Sequence, residues 1–290
     1  MREKRNVIAY LLILLQSLLY GFGDPISKAA YEVVPVCSLL SVRYLIAFAF
    51  LLLLAGRSAL RELRRTRPRV WIVPSICISV SYLLSNLALK LTAATSVAFL
   101  RSLATILTPV LAFVFFRKKY GWLHFGIGAL SVAGLFLLCG FGGLSGFGAG
   151  ETLSLMGALA MAAALLFGEK AMREMGAAAL ATVQIGVCAI TALIMALLLE
   201  GGVHVPSAEG AVWGVILYLA IACSAAGFLL QNVALRRISA RSVALLQCAC
   251  PVMTACFSFL ILGERLSAAG FAGAALILMC VSAEILADHS

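Results

Sequence analysis

Ten apolar runs, each close to the length of a bilayer crossing, divide the 290-residue chain between clusters of charge and glycine. A hydrocarbon core about 30 Å thick takes about 20 residues of helix, and no soluble interior hides ten such runs. The composition agrees: 63% of residues are hydrophobic and 12% charged, with a mean hydropathy of +1.08, against about 25% charged in soluble domains. The runs fall at 7–30 (kinked at Gly21–Pro25), 36–55, 70–89, 95–116, 121–140, 151–169, 178–199, 211–234, 241–262 and 267–287. A membrane β-barrel would instead show short alternating segments. The expected fold is therefore all-α and integral to the membrane.

Basic residues are unevenly spread between the runs. With the N-terminus inside, the inner segments carry Arg2, Lys4, Arg5, Arg57, Arg61, Arg64, Arg65, Arg67, Arg69, Arg117, Lys118, Lys119, Lys170, Arg173, Arg236, Arg237 and Arg241, and the outer loops only Lys90 and Arg265. This bias places the chain in a plasma membrane with both termini cytoplasmic. It also explains the net charge of +10 without a nucleic-acid partner. All nine cysteines lie inside apolar runs, as small buried hydrophobes rather than a disulfide frame. The basic start Met1–Arg5 imitates a signal peptide, but no small-x-small cleavage site follows, so it reads as a retained first span.

Residues 86–119 align without a gap on 232–265, an offset of 146 with ten identities, among them Asn86/Asn232 and Ser96/Ser242. Earlier in each half, Lys28-Ala-Ala-Tyr-Glu32 resembles Lys170-Ala-Met-Arg-Glu174. The chain thus reads as two five-helix repeats, 1–140 and 151–290, joined by a glycine-rich linker at 141–150. Five is odd, so the second copy enters the membrane inverted, the architecture of alternating-access transporters with a central cavity. The linker lacks both the glycine at Ser145 and the preceding strand that a nucleotide loop needs.

Ten helices in two inverted halves, Tyr20-Gly21 with Lys28 in the first helix, and Pro251 ahead of Gly263-Glu264-Arg265-Leu266 together resemble the EamA-type branch of the drug/metabolite transporter superfamily. The first half departs from the motif, with Lys118 where the second has Glu264. The resemblance implies a central cavity lined by helices 1, 3, 4, 6, 8 and 9, and movement of small metabolites without ATP hydrolysis. It implies no cofactor.

An ionisable side chain at bilayer depth costs about 2.5–3.5 kcal/mol on insertion scales, so each is a candidate functional residue. Helix direction places Asp24, Lys28, Arg43, Tyr82, Asn86 and Arg101 in the outer half of the first repeat. Glu169, Gln231, Asn232 and Gln247 fall in the inner half of the second. The expected substrate-binding set is Gln16, Tyr20, Asp24, Arg43, Tyr82, Asn86, Arg101, Glu169, Gln231 and Gln247. Arg101 aligns with Gln247, and Arg43 falls opposite Gln184 when Val42 is matched to Val183. Arginine in one copy and glutamine in the other means that the scaffold itself needs no charge there. Two guanidinium groups in a low-dielectric cavity suit a carboxylate or phosphate, and Asp24 would receive an ammonium.

Structural readings stand beside these. Asp24 or Glu32 pairing with Arg43 or Lys28 would fix the first helix on the second. Lys28 would snorkel to the interface, Glu169 would be an ordinary helix end, and Gln16 would bridge to a neighbouring helix. Pro109 and Pro251 are expected to interrupt the fourth and ninth helices at non-equivalent positions. Gly126, Gly128, Gly134, Gly157 and Gly273 are expected at close helix contacts.

The function expected is secondary transport of a small polar, zwitterionic or anionic metabolite such as an amino acid, in the direction of export. The other readings are an exporter of cationic or amphipathic compounds, a lipid-carrier flippase, and a structural partner protein. Proton coupling through Asp24 or Glu169 and facilitated diffusion are equally compatible with the sequence, as are a monomer and a homodimer. No metal-binding or nucleophile constellation falls inside a span, so an enzyme is not expected.

Overall fold

The computed structural model describes residues 2–92, 94–117, 122–139, 148–205, 210–262 and 267–287. Among them every regular element is helical: α1 (Arg2–Ala30), α2 (Val36–Arg65), α3 (Pro68–Leu91), α4 (Ala94–Ser102), α5 (Ala104–Phe116), α6 (Trp122–Cys139), α7 (Ala149–Ala171), α8 (Ala177–Leu199), α9 (Gly210–Tyr218), α10 (Gly227–Leu235), α11 (Ala240–Leu246), α12 (Ala249–Leu262) and α13 (Ala268–Ala287). A π-helical stretch, Leu219–Ala226, joins α9 to α10. Most of the expected linker and the Gly263–Leu266 motif lie outside the described residues.

Nine stretches among the described residues are long and apolar enough to cross a bilayer, and Gly126–Leu138 within α6 is a shorter apolar helix. They coincide with the ten predicted runs, with one informative difference. Helix α2 continues ten residues past the predicted end at 55, carrying Arg57, Arg61, Arg64 and Arg65 on its last turns. The onset of charge ends a membrane span, but arginine and leucine are good helix formers, so the helix itself goes on. Helix α1 remains one helix through Gly21 and Pro25.

The breaks inside two spans do not fall at the prolines. Pro109 lies within α5 and Pro251 is the third residue of α12, whereas the interruptions are at Leu103 and at Gln247–Cys248. Under the 146-residue offset these positions match within two residues, so the two breaks are equivalent where unequal ones were expected. Pro251 has no N–H for the Gln247 carbonyl, which instead accepts the Cys250 N–H at 2.9 Å, a tighter three-residue turn. In the first half the Ile106 and Leu107 N–H groups converge on the Leu103 carbonyl, each at 3.0 Å.

Helices of the two halves pack on each other: α2 along α8, α3 along α7, α6 along α13, and α1 along α10 and α12. Helix ends are capped in the same crosswise manner. Glu200, after α8, accepts the Cys37 and Ser38 N–H groups at the start of α2, both at 2.8 Å. Glu62, near the end of α2, accepts the Gly176 N–H at the start of α8. The two helices are therefore antiparallel, each with its orphan N-terminal donors and positive dipole end met by the other's glutamate. Gly134 and Gly273 sit where α6 meets α13, and Gly157 where α7 meets α3. A Cβ at Gly126 meets nothing, and one at Gly128 makes only ordinary contact with Thr105.

Polarity is reversed relative to a soluble protein. Leu53, Leu198 and Leu260 are 88%, 72% and 72% exposed, whereas Gln16, Asn232 and Glu284 are each 0% exposed. Apolar surface this extensive faces lipid, and the polar groups converge inside.

Candidate functional site

Two small chambers lie between first-half and second-half helices. One, of about 20 Å³, has Asp24, Arg43, Asn86 and Cys223 in its wall; the other, of about 40 Å³, has Gln16, Ser17, Gln247 and Cys250. Tyr20, Tyr82 and Arg101 line both. Volumes of this size hold no more than a few waters.

The smaller chamber is built around arginines. Arg101 sits at the end of α4, one residue before Ser102 and the break, and its Nη2 lies 2.8 Å from Asp24 Oδ2 on α1. Of the pairings considered for Asp24, the structure has neither Arg43 nor Lys28 but Arg101. Lys28 Nζ instead donates to the Thr92 carbonyl at 3.4 Å. Arg43 on α2 is 5% exposed, and its Nε donates to Ser224 Oγ at 2.7 Å. Ser224 lies on the π-helical stretch and itself donates to the Leu219 carbonyl five residues back, at 3.0 Å. The π-helical stretch thus presents a hydroxyl to Arg43. No carboxylate among the described residues pairs with Arg43, so the chamber wall carries two guanidinium groups and one carboxylate.

Tyrosines divide the chambers. Tyr82 Oη donates to Tyr20 Oη at 2.8 Å, and the Tyr82 ring stacks on Phe228 with centroids 5.1 Å apart. Gly227 makes this possible, because a side chain there would collide with the Tyr20 ring. Asn86 braces the wall, donating to the Tyr82 carbonyl at 2.7 Å and accepting from Tyr31 Oη.

The larger chamber ends in glutamines. Gln16 Nε2 donates to the Gly227 carbonyl (3.0 Å) and to Gln231 Oε1 (3.2 Å). Gln247 Nε2 donates to Gln16 Oε1 (3.1 Å) and Gln231 Oε1 (2.9 Å). So Gln16 both lines the chamber and bridges to neighbouring helices. Gln247 occupies the break between α11 and α12, as its counterpart Arg101 lies beside the break between α4 and α5.

Of the ten expected site residues, the structure brings Gln16, Tyr20, Asp24, Arg43, Tyr82, Asn86, Arg101 and Gln247 to the chamber walls, with Gln231 directly behind Gln16 and Gln247. Glu169 is elsewhere: its carboxylate accepts the Ala240 N–H at 2.9 Å, at the start of α11, and faces Arg173 at 3.7 Å. Gln184, opposite Arg43 in the alignment, bonds Asn232 at 2.7 Å away from both chambers. Sequence reasoning missed Ser224, which lies in a run of small residues with nothing to mark it. It also missed Glu284, whose carboxylate meets Arg241 at 2.9 Å. A lone acid in the last apolar run is a signal that the bilayer-depth rule would have caught.

No curated protein matches the sequence. The backbone is similar to a crystal structure described only as that of a protein, with a TM-score of 0.79 over 100% of both chains at 19% identity, a likeness of fold alone. The profile of the EamA-like transporter family matches residues 7–140 and again 148–283, so this multi-pass membrane chain, with two family units in tandem, belongs to the EamA-like transporter family.

Proposed function

We propose that this chain is a secondary transporter that moves a small acid-bearing metabolite, zwitterionic or anionic, by alternating access, and that it exports it across the plasma membrane with both termini in the cytoplasm. The observation that carries the substrate class is Arg43: a buried guanidinium facing the chamber, hydrogen-bonded to one neutral hydroxyl and 5.4 Å from the centroid of the Tyr44 ring, with Arg101 in the same wall. A buried cation without a carboxylate partner is costly, and a substrate carboxylate or phosphate relieves that cost with charge-assisted hydrogen bonds. Asp24 and Arg101 balance each other, so Arg43 leaves the wall with a net positive charge, which weighs against an exporter of cations.

Inverted repeats support the alternating-access part. Helix α1 packs on α10 and α12 just as α7 packs on α3, α4 and α5, and α2 and α8 cap each other's ends. A two-fold axis in the membrane plane relating 1–140 to 151–290, with 141–150 between them, gives this pattern. The two chambers meet at the Tyr20–Tyr82 contact and each is too small for a metabolite, so the halves must part for a substrate to enter.

The test is thermal stability of the detergent-purified protein against amino acids, organic acids, phosphorylated acids, nucleotide sugars and organic cations. A ligand at 100 times its dissociation constant adds about 2.7 kcal/mol if it binds only the folded form. A carboxylate or phosphate should stabilise the wild type and neither Arg43→Gln nor Arg101→Gln. Stabilisation by cations alone, unchanged in both variants, sinks the anion site.

A further inference from the structure

The larger chamber differs in chemistry from the smaller. Apart from Arg101 its polar wall is neutral, and part of that wall is unsatisfied. Ser17 Oγ, on a side chain 1% exposed, has no hydrogen-bond partner among the described residues. Gln247 commits both Nε2 hydrogens to the other two glutamines, and its Oε1 accepts no hydrogen bond from them. A buried hydroxyl without a partner is costly, and a neutral polar group reaching it as the chamber widens would relieve that cost. An acceptor oxygen on Gln247 and a hydroxyl on Ser17 call for a ligand that both donates and accepts, and a carboxamide does both.

Resting on the anion-site reading above, we infer that Ser17 and the glutamine cluster make this a bipartite site, selecting small acids that carry a carboxamide or a like donor–acceptor group. The acid end meets Arg101, which lines both chambers, and the neutral end meets Gln247 and Ser17. A site built to hydrogen-bond a polar group rejects the apolar isostere because its own groups are then left unpaired. The same acid with a branched hydrocarbon tail is therefore a poor ligand.

Two isosteric pairs test this: succinamate against 4-methylpentanoate, and asparagine against leucine. Dissociation constants come from thermal stabilisation of the intact purified protein. The expected result is that the amide of each pair binds at least about tenfold tighter than its isostere. That ratio should fall towards one in Gln247→Met and shrink in Ser17→Ala, which carries the test if the methionine variant does not fold. A ratio near one in the wild type, or an undiminished ratio in both variants, overturns the inference. Butyramide has the amide without the acid. If it binds as tightly as succinamate and Arg101→Gln leaves both unchanged, the acid site fails while amide selection stands. Binding by neither member of either pair overturns both readings.

Discussion

The two halves of the chain place their buried charge differently. In the first half Asp24, Arg43 and Arg101 face the chambers. In the second, Arg241, Glu284 and Glu169 are used at helix ends, tying α11 to α13 and to α7, and the chamber receives glutamines. The same two-break scaffold carries both arrangements. What the break requires is a polar side chain, since the interrupted helix exposes backbone groups at bilayer depth. What it does not require is charge, so the first-half charge is free to serve the proposed ligand, while that in the second ties helices together.

The largest expected effect separates these two uses. Arg241→Met removes the cation 2.9 Å from the fully buried Glu284 carboxylate, which costs about 3–5 kcal/mol. A denaturation midpoint that recovers in Arg241→Met/Glu284→Met, with ligand stabilisation unaltered throughout, is the expected outcome; altered ligand specificity would erase the contrast between the halves. Next comes Arg101→Gln, which leaves Asp24 facing a chamber with room for water and costs about 1.5–3 kcal/mol of charge-assisted hydrogen bonding. Adding Asp24→Asn should restore stability but not acid binding, and restored binding would show that Arg101 is structural.

Smaller effects sharpen the symmetry. Glu200→Ala and Glu62→Ala each remove a cap from the partner helix, at about 0.5–2 kcal/mol apiece. Both losses should be measurable as a fall in melting temperature, the larger for Glu200, which accepts two N–H groups and the Ser38 hydroxyl against one N–H for Glu62, and a neutral result for either would break the equivalence of α2 and α8. Smallest is Tyr82→Phe, which removes one hydroxyl contact worth about 0.6 kcal/mol inside a membrane protein. Its readout is access rather than stability: thiol labelling of Cys250, mapped by mass spectrometry, should quicken if the tyrosine pair separates the chambers.

Much of the fold is legible in the sequence because its signals are local. An apolar run of bilayer length is a span wherever it packs, and the 146-residue offset pairs the polar positions of the two halves, although the equivalence of the two breaks emerged only from the structure. The prolines misled as to place: Pro109 sits inside an unbroken α5, and Pro251 acts four residues upstream, on the Gln247 carbonyl that its missing N–H leaves to Cys250. Candidate site residues were readable as polar groups at bilayer depth, and most reach the chambers. Glu169 did not, since the same rule flags a helix cap and a ligand group alike.

The sequence by itself determined the number and length of the spans, the resemblance of the two halves and the excess of arginine over acid in the first. These follow from hydrophobic length and composition, which act on each segment separately. Only the tertiary structure decided that Asp24 meets Arg101, 77 residues away, rather than Arg43. It also decided that Arg43 rests on Ser224 from the opposite half, and that three glutamines from α1, α10 and the α11–α12 break converge. Such pairings depend on how helices cross and rotate against one another, and burial fixes that geometry only when every helix is in place.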